Sequence, residues 1–107
     1  DVGRRLAEGS LVGVLRGREE NGPRPFGHRC LLAAATDPAV KQRVLQHVGY
    51  SPHQYLQAVV PLEVTPQWFG NETPSPYGSL APNVTDPRVC QQLTVCLSDG
   101  SIQLQTV

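Results

Sequence analysis

PFGHRCLLAAATDPAVKQRVLQHVGYSPHQYLQAVVPLEVTPQW, residues 25–68, decides the fold of this chain, because two helix starts follow one another in it and a tryptophan set among prolines closes it. Asp37 can accept a hydrogen bond from the free N–H groups of a new helix, and Pro38 fits the first helical position, where a missing N–H costs nothing. Val40, Val44 and Val48, with Leu45 beside them, form one apolar stripe, so a helix is expected over about 38–48, ended by Gly49 in a left-handed cap. The pattern then repeats. Ser51 as N-cap, Pro52 at the first position and Gln54 three residues after the serine make a capping box, with Tyr55, Leu56, Val59 and Val60 as the buried face. A second short helix over about 52–60 is the expectation.

Outward from this stretch the pattern changes to strands. Leu11, Val12, Val14 and Leu15 form a short apolar run bounded by glycines, and Arg29 to Ala33 resumes as a second strand antiparallel to it. Between them residues 18–27, centred on Asn21-Gly22-Pro23, are turn formers and read as a loop. Prolines at 61, 66, 74, 76, 82 and 87 exclude a long helix and interrupt any central strand across 61–87. Beyond them Leu93, Val95 and Leu97 alternate with polar or small residues, and Asp99-Gly100 supplies a tight turn before Ile102 and Leu104. Pairing Leu97 with Ile102 and Val95 with Leu104 places all four on one face, which predicts a C-terminal β-hairpin over about 92–105. The fold class expected is α+β: a small antiparallel sheet, two short consecutive helices and the closing hairpin.

With 107 residues, 39% of them hydrophobic, the chain has material for one core, so residues 1–107 are expected to be a single small domain or a fragment of a larger one. Nine basic and nine acidic residues give a net charge of zero without a dense basic run, which argues against direct nucleic-acid binding. No apolar run approaches the ~20 residues that span a bilayer. The start at Asp1, with neither initiator methionine nor signal peptide, and the end at Val107 within a strand-like pattern suggest a processed piece.

Three cysteines leave at least one unpaired. On one continuous strand Cys90 and Cys96 would lie about 20 Å apart at ~3.3 Å per residue, so they bond only if the chain turns between them. Pairing of Cys30 with Cys90 or Cys96 stays open, and free half-buried thiols are the simpler expectation. His28, His47 and His53 lack zinc-ligand spacing, Cys30 has no helix N-terminus to activate it, and the glutamates at 8, 19, 20, 63 and 72 are scattered and read as solvated surface. No catalytic, metal or cofactor site is expected. Asn71-Glu72-Thr73 and Asn83-Val84-Thr85 match the N-glycosylation acceptor pattern, with Asn71 and Asn83 as the acceptors. Trp68, the only tryptophan, either closes the core or anchors a partner together with Phe69.

Gly27-His28-Arg29-Cys30, then Asp37-Pro38 opening a helix, then Gln46-His47-Val48-Gly49-Tyr50-Ser51, then Pro61-Leu62-Glu63-Val64-Thr65 leading to Trp68, is an order of elements that resembles the BTG/Tob antiproliferative domain over roughly residues 25–69. That resemblance implies a noncatalytic cytoplasmic or nuclear adaptor that binds the nuclease of a poly(A)-shortening deadenylase, with His28 and Trp68 at the partner-contact positions. The function expected is therefore protein–protein interaction through an aromatic surface formed by Trp68, Phe69 and His28. The alternative is a glycosylated fragment of a secreted, cell-surface or virion-surface protein that folds beside another chain or domain. An enzyme whose site is completed elsewhere ranks behind both.

Overall fold

A computed structural model describes residues 1–51 and 53–107. Its contacts divide the chain into two units, Asp1–Gln54 and Tyr55–Val107. The α+β class holds, with one antiparallel strand pair, several short helices and a strand pair that includes the C-terminal segment.

In the first unit a short helix α1 (Val2–Ala7) is capped by Asp1, whose carboxylate accepts from Arg4 N–H. Strand β1 (Val12–Leu15) then pairs antiparallel with β2 (Arg29–Leu32), with Val12 opposite Leu32 and Leu15 opposite Arg29. Helix α2 (Pro38–Val48) begins as its sequence dictates: Asp37 Oδ1 accepts from Ala39 N–H at 2.8 Å, and Gly49 closes it at φ 69°. Val40, Val44 and Leu45 are buried, but Val48 remains 43% exposed. At 3.6 residues per turn it lies between Val44 and Leu45 around the axis, so its exposure goes with its place as the last residue of the helix rather than with its face.

The predicted helix over 52–60 is absent from the described residues, and Pro52 lies outside them. Ser51 Oγ accepts from His53 N–H and Ser51 O from Gln54 N–H, which makes one turn and no more. Ala58–Val60 is instead a strand, β3, in the second unit. Two local effects and one distant one outweigh the capping signal. Val60 precedes Pro61, a position that disfavours helical backbone. Val59 and Val60 are β-branched. The C-terminal strand β4 (Leu104–Thr106) then pairs parallel with β3, Ala58 opposite Leu104 and Val60 opposite Thr106.

The second unit continues through a 3-10 turn (Leu62–Val64) into α3 (Thr65–Phe69), ended by Gly70 at φ 83°. After a proline-rich loop, α4 (Pro87–Gln92) starts on Asp86, whose carboxylate accepts from Arg88 N–H at 2.9 Å. The first arm of the predicted 92–105 hairpin does not form, because beyond Gln92 the chain runs through turns, with Cys96 N–H donating to Leu93 O, and not as a strand. The Asp99-Gly100 turn does form: Asp99 Oδ1 accepts from Ser101 N–H and Oγ, and Leu97 N–H reaches Ser101 O at 2.8 Å. Beyond that contact the arms part. Residues 101–106 pair with Asn83, Leu80 and β3, an arrangement that leaves Ile102 and Leu104 wholly buried. Ser75 locks β4 from the other side, donating Oγ–H to Leu104 O and N–H to Thr106 Oγ1 while its carbonyl oxygen accepts from Thr106 N–H at 2.9 Å.

The turn between Cys90 and Cys96 brings their Cα atoms to 5.6 Å in a disulfide, and Cys30 is free. The expectation of free thiols throughout is thereby corrected. The condition set by the spacing, a turn between 90 and 96, is met by the end of α4 and the Leu93 to Cys96 turn.

Candidate functional site

Antiparallel pairing of β1 with β2 leaves residues 16–28 as their connection, and four of the nine basic residues fall at 16, 18, 24 and 29, in or beside it. Gly22 at φ 121° and Gly27 at φ 101° adopt backbone that side chains rarely allow. At Gly27 a Cβ would also meet the Arg16 guanidinium at 3.3 Å. Arg16 uses that approach, its Nε donating to Gly27 O at 2.9 Å. Across the loop Arg29 Nη2 donates to Gly17 O at 3.0 Å.

One carboxylate organises this connection. Glu20 Oε1 accepts from Phe26 N–H at 2.7 Å and His28 N–H at 2.6 Å and lies 3.2 Å from His28 Nδ1, while Oε2 accepts from Arg29 N–H at 3.3 Å. The Glu20 side chain is 11% exposed. Burial pushes its pKa up, but hydrogen bonds from the backbone of His28 and Phe26 and from the His28 ring more than reverse this and hold it at about 2. The same charge acts on Cys30, whose thiol is pushed up first by burial and then by the Glu20 carboxylate.

Around this carboxylate the loop encloses a concavity of about 170 Å³ lined by Glu19, Glu20, Gly22, Pro23, Arg24, Pro25 and Arg29. Arg24 lies over the Tyr50 ring, its guanidinium carbon 5.6 Å from the centroid, a cation–π contact that restricts its orientation. The Glu20 oxygens are engaged by loop donors, and the other charged side chains at the hollow are Glu19, Arg24 and Arg29. Two arginines at one small hollow suit an oxyanion of phosphate size, which accepts paired N–H bonds. Among the described residues no group of three or more His, Cys, Asp or Glu is placed to hold a metal ion.

The residues singled out from the sequence fall elsewhere or play smaller parts. His28 is exposed at the edge of β2 and belongs to the first unit. Trp68 is half-buried and Phe69 buried on α3 in the second, their rings edge-to-face at 6.3 Å. Trp68 O accepts from both Thr85 N–H and Thr85 Oγ. Asn71 and Asn83 are exposed, Asn71 Oδ1 accepting from Thr73 Oγ and Asn83 bridging to Ser101. Glu20 and the loop arginines were missed. In the sequence Glu20 is one of several scattered glutamates that read as solvated surface, and the arginines form no contiguous run. The signal available was four arginines gathered around a Gly/Pro loop between two strands.

Comparison with known proteins places this loop in a different context from the adaptor reading. The family model described as carbamoyltransferase C-terminus matches residues 3–107. Nodulation protein U of Rhizobium tropici is 38% identical over 104 residues, covering 95% of this chain and 18% of that protein. Nodulation protein U of Sinorhizobium fredii (strain NBRC 101917 / NGR234) is 37% identical over 103 residues, with the same shares. The chain thus spans under a fifth of the length of the curated relatives it matches. These matches overturn the BTG/Tob resemblance, and with it the antiproliferative, deadenylase-recruiting and noncatalytic adaptor readings. The glycosylated surface-fragment alternative falls as well, since the relatives are bacterial nodulation proteins matched along almost the whole chain. The physical reason is plain. An Asp-Pro helix start and a Gly-x-Ser junction are punctuation that helices require in any family.

Proposed function

Because this chain belongs to the carbamoyltransferase C-terminal family, we propose that it is the C-terminal part of an enzyme that transfers a carbamoyl group, and that the β1–β2 loop holds the anionic donor. The observation that carries the first half is the family match along residues 3–107. The second half is supported by Arg24 and Arg29 at one hollow and by the Glu20 clamp that fixes the loop around them.

A carbamoyl group reaches its acceptor on a leaving group that is stable as an anion, and a phosphate ester or anhydride meets that need near neutral pH. The acceptor's lone pair attacks the carbamoyl carbon, the bond from that carbon to the phosphate oxygen breaks, the phosphate leaves with the electron pair, and the acceptor's proton passes to the phosphate or to water. Guanidinium groups fixed at the leaving oxygens offset the charge that grows there. Arg24 and Arg29 would fill that role, and Glu20 would keep the loop in place without touching the donor. A charged phosphate donor does not cross a bilayer unaided, so the same reading puts the enzyme in the cytoplasm. Among the described residues no helix is long and apolar enough to cross a membrane.

The test uses the full-length protein and isotopically labelled carbamoyl phosphate with hydroxyl- and amine-bearing acceptors. Label is expected to move to an acceptor, and phosphate to be released in equal amount. Absence of transfer and of phosphate release across the acceptor panel, from folded protein, would contradict the proposal.

A further inference from the structure

The Cys90–Cys96 pair is the reactive group that the carbamoyl reading leaves unused. Cys90 lies in the last turns of α4, and Cys96 follows a turn in which its N–H donates to Leu93 O. The 5.6 Å between their Cα atoms is within the span of a disulfide. With a sequence separation of 6, the bridge closes a short loop. A framework staple gains most by closing long loops. The core beside it has other ties: β4 pairs with β3, Ser75 donates to Leu104 O, and Ile102 N–H reaches Pro82 O. Neither cysteine is buried, so a thiol can approach the bond.

Given the cytoplasmic placement in the proposed function, on which this inference rests, the bridge lies in a reducing compartment, where disulfides are characteristically transient. We infer that Cys90 and Cys96 form a reversible dithiol–disulfide switch that fixes residues 86–100 when oxidised and releases them when reduced. The segment is joined to its surroundings at both ends. Thr85, just before it, hangs from Trp68 O at the end of α3, and Leu97 N–H holds Ser101 O at the entry to the buried run 101–106. The thiol state therefore reaches the ends of two packed elements while Ile102 and Leu104 stay in place.

The step balances with a dithiol reductant or a glutathione couple. A reductant thiolate attacks one sulfur and forms a mixed disulfide, and the other cysteine leaves as its thiolate and takes a proton. A second reductant thiol then displaces the mixed disulfide. The bridge has gained two electrons and two protons, and the reductant departs as its own disulfide. Oxidised glutathione runs the sequence backwards.

The experiment equilibrates full-length protein in glutathione buffers from reduced to oxidised, quenches with acid and counts alkylated cysteines by peptide mass. Cys90 and Cys96 are expected to become alkylatable together, with a midpoint inside the buffer range, and to re-form the bond on reoxidation. Hydrogen exchange across 86–100 should be about tenfold faster or more in the reduced protein. A Cys90→Ser variant should show the fast exchange in every buffer. A bond that survives the most reducing buffer in folded protein marks a permanent staple and overturns the inference. So does a pair that never bonds in the most oxidising one, or exchange that is equal in the two states.

Discussion

Substituting Glu20 by glutamine keeps the shape of the side chain and turns one acceptor oxygen into a donor. Donors already crowd both oxygens, the N–H groups of Phe26 and His28 with the His28 ring at Oε1 and Arg29 N–H at Oε2, so either orientation of the amide sets donor against donor. Amide exchange at Phe26, His28 and Arg29 is expected to accelerate, and affinity for carbamoyl phosphate to fall roughly tenfold in the full-length protein. Unchanged exchange at those three amides would contradict the clamp. The pH dependence has a definite sign. The folded pKa of about 2 lies below the ordinary 4.5, so the contribution is fully present above 4.5 and lost as pH falls through about 2. Denaturation midpoints of the parent should drop over that window more than those of Glu20→Gln. None of this is written in the spacing of the glutamates. Three backbone N–H groups converge on Glu20 only because Gly22 and Gly27 bend the loop back, and a sequence pattern does not carry that path.

Single elements divide by whether their cause is local. Asp37-Pro38 fixed the start of α2 from neighbouring residues alone, and Asp37→Ala is expected to cost about 1 kcal/mol in urea denaturation. The same signal stands at Asp86-Pro87 and opens α4, but Pro87 was read only as the last of a series of breakers. The β1–β2 pair was legible because the apolar runs and the turn-forming loop lie together in the chain. β3 and β4 were not, since Ala58 meets Leu104 across 46 positions and no local pattern announces a parallel partner. The Ser75 bonds to β4 are equally distant, and Ser75→Ala, which removes a buried donor from Leu104 O, should destabilise by about 1–3 kcal/mol. A loss well under that range would mean water replaces the hydroxyl. For the Cys90 to Cys96 loop the chain-entropy relation gives roughly 2 kcal/mol, the difference in unfolding free energy expected between oxidised and reduced protein.

For the whole molecule, the class of fold was readable from punctuation and hydrophobic period, but the function was not. An ordered series of helix starts, a Gly-x-Ser junction and a tryptophan suggested one family, yet each of these records how a chain turns rather than what it binds. The residues that carry the proposed chemistry, Arg24 and Arg29, are separated in sequence and drawn to one hollow by the loop between two strands. Composition obscured them further, because nine acidic residues balance nine basic ones and the net charge of zero averages away a local cluster. The most direct test of this account is the equilibrium binding of carbamoyl phosphate to the full-length protein and to its Arg24→Ala and Arg29→Ala variants. The account predicts saturable binding that weakens with added salt and falls roughly tenfold or more in each variant, with the fold preserved. Binding equal in the parent and both variants would contradict it.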